Sequence, residues 1–130
     1  TDLVFGRIVR PTTGTSTITI ANNSNSSVES GAGDALVLGG ITTSRATYTI
    51  NGEGAQVVNV TVPATFDMTG PGTITVTLLD DLPVSNQVTL SNALGAAGSA
   101  ALNIGGSFDV TDATVTGAYS GTFDVTVAYN

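Results

Sequence analysis

The sequence predicts an all-β protein with the architecture of an antiparallel, immunoglobulin-like β-sandwich. Thr and Ser together supply 33 of the 130 residues, Val and Ile supply 22 and Gly supplies 16, a mixture that favours strands and tight turns. Apolar and polar residues alternate in short segments along the whole chain, with turn signals about every ten residues. Because no linker, repeat or charge block divides the chain, residues 1–130 are predicted to form a single domain.

The predicted strands are the segments in which apolar residues recur at every second position. They cover residues 2–9, 15–21, 45–51, 56–62, 73–78 and 119–129, with weaker segments at 87–90 and 100–104. The alternation predicts that one side chain in two points into the core. Before the last strand these inward residues are Leu3, Phe5, Ile18, Ile20, Leu36, Leu38, Ala46, Tyr48, Ile50, Val58, Val60, Val62, Ile74, Val76, Leu78, Phe108 and Val110.

Glycine, proline and runs of small polar residues predict the connections. Residues 22–34 are almost entirely polar and small and are predicted to form an exposed loop. Turns are predicted at Gly39-Gly40, at Asn51–Gly54 and at Gly70–Gly72, and Gly6 is predicted to form a bulge or a point of close approach. Residues 92–101 resemble a helix in composition, but two internal glycines disfavour one, so a loop is predicted there.

The last predicted strand has the clearest alternation. Its inward residues are predicted to be Tyr119, Gly121, Phe123, Val125, Val127 and Tyr129. Tyr48, Tyr119 and Tyr129 all fall on apolar positions, and the chain has no Trp. The pattern therefore indicates that the three tyrosines pack in the core and do not form an exposed platform for sugar rings.

The charged residues exclude most kinds of binding site and enzyme. The formal net charge is −7, with ten acidic residues, three arginines and no histidine or cysteine. Nucleic acids and anionic membrane surfaces need clustered basic residues, and zinc, haem and iron–sulfur sites need His or Cys. No stretch of about 18 apolar residues is present to span a membrane. The sequence thus predicts no cofactor, no nucleic-acid partner and no membrane span.

The carboxylates are the remaining candidates for catalysis or metal binding. Asp80 and Asp81 are adjacent, so their side chains point to opposite faces of a strand and are predicted to end it before Pro83. Asp109, Asp112 and Asp124 are explained as solvated positions; a glycosidase built from two distant carboxylates stays open as a minor alternative. Calcium ligation by Asp34, Glu53 and Asp67 is a second minor alternative, because these acids lie in loops without the spacing of a known calcium motif. The chain is predicted not to be an enzyme.

Three motifs resemble a known family. They are Leu3-Val4-Phe5-Gly6 near the start, Gly105-Gly106 before a late strand, and the alternating ending from Gly117 to Tyr129. Together they resemble uncharacterised secreted bacterial domains, which are themselves similar to spore-coat-protein-U-like subunits of archaic chaperone–usher pili. The likeness spans nearly the whole chain, and the ending is its most specific part.

The resemblance implies a sandwich that lacks one strand and is completed by a strand donated by the next subunit. Such a chain would be a structural subunit of an extracellular filament on the bacterial surface, built as a homopolymer. Assembly with help from a periplasmic chaperone and an outer-membrane usher stays open. The implied groove or donor residues are Leu3, Phe5, Ile8, Tyr119, Phe123, Val125, Val127 and Tyr129.

Two features depart from that family. The strand pattern begins at Asp2, so no free N-terminal arm precedes it; either an arm lies outside this sequence or residues 2–9 are themselves exchanged. The cysteine pair of many classical pilins is also absent. The alternative interpretation is a secreted, monomeric adhesin or ligand-binding sandwich that uses residues 22–34 as its contact surface.

Overall fold

The computed structural model describes residues Thr1–Asn130 and contains eleven strands and no helix. All strand pairings are antiparallel, so the predicted all-β antiparallel sandwich is confirmed. None of its elements is a helix with the length and apolarity to cross a membrane. The strands are β1 (Arg7–Val9), β2 (Thr15–Ile20), β3 (Val28–Gly31), β4 (Leu36–Leu38), β5 (Ala46–Glu53), β6 (Val57–Thr61), β7 (Thr65–Thr69), β8 (Thr73–Asp80), β9 (Gln87–Thr89), β10 (Ala97–Thr111) and β11 (Thr126–Tyr129).

The larger sheet is organised around β10. Its order is β3-β2-β10-β8-β7, and β5 also pairs with β10. One edge of β10 pairs first with β5, up to Ile104, and then with β2 from Gly106 onward. The opposite edge pairs with β8 at residues 104–107. The single long strand β10 therefore joins β5 to the part of the sheet that contains β2 and β8.

Three shorter pairings complete the sandwich. The second sheet has the order β11-β6-β9, and β1 pairs with β4 in a separate ribbon. The N-terminal segment runs along the start of β5, where Thr1 exchanges hydrogen bonds with Thr47 and Val4 with Ser44. The C-terminal segment touches the edge of β7 through a single bridge, Thr69 to Ser120, before it forms β11.

The core lies between the sheets and follows the predicted alternation over most of the chain. Fifteen hydrophobic residues are buried, and Phe5 packs edge-on against Phe108 with ring centroids 4.9 Å apart. Because the chain has no disulfide, this apolar burial and the strand ladders provide its stability. The buried hydrophobic residues are Phe5, Ile18, Ile20, Ala35, Ala46, Ile50, Val58, Val60, Val76, Leu78, Leu90, Leu102, Ile104, Phe108 and Val110.

The Gly105-Gly106 motif lies at the point where β10 changes partner. A Cβ on Gly105 would strike the backbone of Ile20, because the chain leaving β2 crosses directly over this residue. A Cβ on Gly106 would lie 3.0–3.1 Å from side-chain atoms of Val76, Leu3 and Phe5. Only glycine fits both positions without a shift of the surrounding structure. Gly6 is similar: its φ is +86°, and a Cβ would meet Thr43, so the predicted close approach is confirmed.

Several predicted boundaries are wrong because pairing partners decide where strands form. The strand predicted over residues 119–129 is regular only over Thr126–Tyr129, and that predicted over 2–9 only over Arg7–Val9. A loop is predicted for residues 92–101, but β10 begins at Ala97, because residues 97–104 pair with β5. Gly98 lies so close to the backbone of Ser91 and Gly54 that a Cβ would clash there. Within the predicted loop 22–34, β3 pairs with β2. The strand β7 was not predicted.

Two local predictions are also wrong because strand pairing decides the register and the length of a strand. Leu36 and Leu38 are 60% and 42% exposed, whereas Val37 packs against the core, so the register of β4 is shifted by one residue from the prediction. At Asn51–Gly54 the predicted positive φ is absent, because β5 continues to Glu53 and the turn follows it. The residue with positive φ is Ala55, at +59°. The turn at Gly70–Gly72 is confirmed: it connects β7 to β8.

Candidate functional site

The sandwich is open along one side, which we call the seam. One wall consists of residues 2–10 together with β5, and the other wall consists of the C-terminal segment 114–129. No backbone hydrogen bond crosses between these walls. Two side-chain hydrogen bonds do: Arg10 Nη1 donates to the Thr114 carbonyl oxygen at 3.0 Å, and the backbone N–H of Glu53 donates to the Tyr129 hydroxyl at 3.1 Å. The seam is thus bridged only near its two ends.

The wider part of the seam is a cavity of about 1120 Å³. It lies between residues 2–10 and residues 114–123, and sixteen of its 26 lining residues are hydrophobic. Its floor consists of core side chains from β7, β8 and β10. These floor residues are Phe66, Met68, Ile74, Phe108 and Val110.

The narrower part is a cavity of about 590 Å³ between β5 and β11, with nine hydrophobic residues among twelve. Here β5 pairs only with β10 beyond Thr47, and β11 pairs only with β6, so each strand has an edge without a neighbour. Tyr48 and Phe123 line both cavities, and the two therefore form one continuous apolar surface. Unpaired strand edges beside an apolar floor are the features to which an extended peptide segment adds as a strand.

All eight predicted interface residues lie on this seam. Leu3, Phe5, Ile8, Tyr119 and Phe123 line the wider cavity. Phe123, Val125, Val127 and Tyr129 line the narrower one. Their burial differs from the prediction, since Val127 and Tyr129 are 41% and 60% exposed, whereas Phe123 and Val125 are half-buried against the core.

The prediction that the tyrosines pack in the core is wrong. Tyr48 is 40% exposed, Tyr129 is 60% exposed and Tyr119 is half-buried. All three line the seam, where the hydroxyls of Tyr119 and Tyr129 form hydrogen bonds to backbone groups. The alternation of the sequence places them on the inward face, but the seam leaves that face uncovered at these positions.

The floor residues Phe66 and Met68 were missed by the sequence analysis. Both belong to β7, where Thr65, Asp67 and Thr69 alternate with them along only five residues. Phe66 packs against Phe123 across the cavity with ring centroids 5.1 Å apart. The short alternating segment between Pro63 and the turn at Gly70 is the signal that could have identified this strand.

The carboxylates are dispersed over the molecule. No group of three or more Asp or Glu side chains is placed to hold a metal ion. Asp80 ends β8 as predicted and accepts a hydrogen bond from the Leu82 N–H, while Asp81 accepts two from Asn103. Asp67 and Asp109 each accept a hydrogen bond from a threonine on a neighbouring strand.

The carboxylate of Asp34 accepts hydrogen bonds from the turn before β2. The Thr12 hydroxyl and backbone N–H each donate to it at 2.6 Å, and the Thr13 N–H adds a longer bond. These hydrogen bonds, first that of the Thr12 hydroxyl, lower the pKa of Asp34 from its ordinary value, because they stabilise the charged form. The carboxylate ties the turn before β2 to the segment after β3, which is a structural role.

Residues 22–34 have few features of a binding surface. None of the four cavities of the molecule is lined by a residue from this range. The segment is attached to residues 43–45, where the Thr43 hydroxyl donates to the Asn25 carbonyl oxygen and the Arg45 N–H donates to the Asn25 side chain.

Comparison with known protein families gives a match over nearly the whole chain. Residues 1–129 match the family described as a domain of unknown function, DUF4402. The chain belongs to this family. Comparison with curated proteins and with solved structures gives no match. The DUF4402 domain, as seen in this chain, is therefore an antiparallel β-sandwich with an open apolar seam.

Proposed function

We propose that this DUF4402 domain is a structural subunit of an extracellular bacterial filament. Subunits join head to tail when an extended segment of one copy enters the seam of the next. The observation that supports this proposal is the seam itself, with strand edges that lack neighbours on both walls and an apolar floor between them. In an isolated molecule an unpaired strand edge promotes uncontrolled association, and a donated strand would pair with that edge and prevent this association.

The seam offers a donated strand both a wall and a floor. The C-terminal wall includes residues from Ala118 to Tyr129. Alternate side chains of a donated strand would meet the floor residues, including Phe66, Phe108 and Val110. Each large apolar side chain that becomes fully buried there contributes roughly 1.5–3 kcal/mol. Backbone hydrogen bonds to the strand edges would fix the direction and the register of the donated strand.

The symmetry and charge of the chain agree with an open polymer. A donor segment and an acceptor seam are different surfaces, so their contact is heterologous and extends as a filament unless a rotation closes it. Only 10% of the residues are charged, which limits repulsion between identical surfaces. In this proposal the filament lies on the bacterial surface after secretion, its partner is a second copy of the chain, and the domain performs no catalysis.

The test compares a charge placed in the seam with the same charge placed elsewhere. Ile8→Asp puts a carboxylate on the wall of the wider cavity, where Ile8 is half-buried. Val84→Asp is the matched control, because Val84 is fully exposed in the turn after β8. Electron microscopy and native mass spectrometry of both full chains should show assembly lost in Ile8→Asp and retained in Val84→Asp. Assembly that survives in Ile8→Asp, with the fold intact by circular dichroism, contradicts the proposal.

A further inference from the structure

A further cavity, which we call the hydroxyl cleft, adjoins the wider cavity of the seam and shares Ile74, Phe108 and Tyr119 with it. Its volume is about 670 Å³, within the range of roughly 300–1,000 Å³ typical of small-molecule sites. It opens where β8 and β10 separate. Their ladder ends at the pair of Thr77 and Ser107, and the pairs that the same register would place further along, such as Thr75 with Asp109, are not formed.

The walls of the cleft carry hydroxyl groups that have no partner within the protein. Thr73, Thr77 and Ser107 lie along it, and none of their hydroxyls makes a hydrogen bond in the folded chain. Each of these groups can both donate and accept. Thr75 already donates to Asp67 at 2.7 Å, so its oxygen can still accept a hydrogen bond.

One carboxylate and one aromatic ring complete the cleft. Asp109 accepts from the Thr17 hydroxyl at 2.7 Å through one oxygen, which leaves its second oxygen unbonded. Tyr119 lies at the mouth beside Gly72, and its hydroxyl donates to the Val115 carbonyl oxygen, which fixes the ring. No arginine lines the cleft.

We infer that the hydroxyl cleft binds a short neutral oligosaccharide. A pyranose presents several hydroxyl groups that donate to a carboxylate and exchange hydrogen bonds with threonine and serine, and its apolar C–H face packs on an aromatic ring. An anionic sugar would approach Asp109 without a compensating cation, so the cleft favours a neutral one. A peptide strand fits less well, because only five of the twelve lining residues are hydrophobic and could receive its apolar side chains. Such a site would give the domain an adhesive function in addition to assembly.

The test is an NMR titration of the full chain with four neutral trisaccharides: cellotriose, maltotriose, mannotriose and N,N′,N″-triacetylchitotriose. We expect at least one of them to shift the amide resonances of residues 73–77 and 107–109, with a dissociation constant on the order of 1 mM. The double variant Thr77→Val, Ser107→Ala should weaken that binding by about tenfold. Thr65→Val is the matched control, because Thr65 is the neighbour of Thr77 on β7 but does not line the cleft.

Five outcomes would overturn the inference. The first two are the absence of any shift with all four sugars and shifts confined to another surface. The next two are equal loss of affinity in the Thr65→Val control and equal or tighter binding of a sulfated trisaccharide. The fifth is binding of an extended peptide in the cleft in place of the sugars. Since Thr77, Ser107 and Thr65 lie outside the seam, the three substitutions test the cleft without altering the residues proposed for filament assembly.

Discussion

The hydroxyl group of Tyr129 accepts a hydrogen bond of 3.1 Å from the backbone N–H of Glu53. Tyr129 ends β11 and Glu53 ends β5, and these two strands belong to opposite walls of the seam. The bond is one of only two hydrogen bonds that cross the opening. It holds the narrow end of the seam together while the rest of both strand edges stays available to another segment.

Removing this hydroxyl should loosen the seam at that end. We expect Tyr129→Phe to lose about 0.5–1 kcal/mol of unfolding free energy, because an exposed hydrogen bond contributes at the low end of the usual range. Chemical denaturation measures this loss, and hydrogen exchange should be faster at the Glu53 amide than in the unmodified chain. An unchanged exchange rate at Glu53 would mean that the bond does not hold the two walls.

The two faces of the C-terminal wall should respond differently to a charge. Val125 is half-buried against the core, whereas Thr126 next to it is exposed. Val125→Asp should therefore lower stability by about 1–3 kcal/mol or abolish subunit joining, because it places a carboxylate in an apolar site. Thr126→Asp should change stability by no more than about 0.5 kcal/mol. Denaturation and assembly assays check both, and equal damage from the two variants would contradict this assignment of faces.

The packing of the N-terminal segment on β10 should be sensitive to one added methyl group. In Gly106→Ala the new Cβ would lie within 3.1 Å of atoms from Val76, Leu3 and Phe5, so the N-terminal wall must shift. A cost of about 1–3 kcal/mol is expected from such overpacking, measured by urea denaturation. Gly39→Ala is the control, since nothing lies within 4 Å of its Cβ position. A neutral Gly106→Ala would show that the N-terminal segment does not pack on β10 in solution.

Acid should remove the contribution of Asp34 to stability. Its pKa is below the ordinary value of 3.8 in the folded chain, because the Thr12 hydroxyl and N–H donate to the charged carboxylate. A lowered pKa stabilises the fold at pH values above 3.8, and this contribution is lost as the pH falls below 3.8 and through the folded pKa. Thermal unfolding should therefore show Asp34→Asn less stable than the unmodified chain near neutral pH. The difference in Tm should shrink below pH 3.8, and a difference that stays constant into strong acid would contradict the assignment.

Alternation in the sequence correctly predicts which side chains are buried where a strand lies inside a sheet and has one face covered by the core. Ile18 and Ile20 on β2 and Val76 on β8 are fully buried as predicted. Each of these strands lies between two neighbours in the larger sheet, and one of its faces is covered by the core. The same alternation at Val127 and Tyr129 fails to bury the side chains, since β11 is at the edge of its sheet and faces the seam. A periodic pattern specifies which face is apolar but does not specify what covers it.

Long-range pairing accounts for the other differences. The small residues at the start of β10 have weak strand propensity and form a strand because β5 lies beside them from Ala97 to Ile104. The seam depends on contacts between the two ends of the chain, such as Arg10 with Thr114, which no local pattern encodes. The apolar motifs at the two chain ends nevertheless lie where they indicate, because the eight residues predicted from them all line the seam.

The most direct test of the filament proposal is electron cryo-microscopy of the protein taken from its native source without denaturation. The proposal predicts filaments with a regular subunit repeat and, in each subunit, one additional strand in the seam that belongs to the neighbouring copy. That strand should lie over Phe66, Phe108 and Phe123, between the N-terminal and C-terminal walls. Dispersed monomers, or filaments whose subunits touch through other surfaces and leave the seam empty, would contradict the proposal.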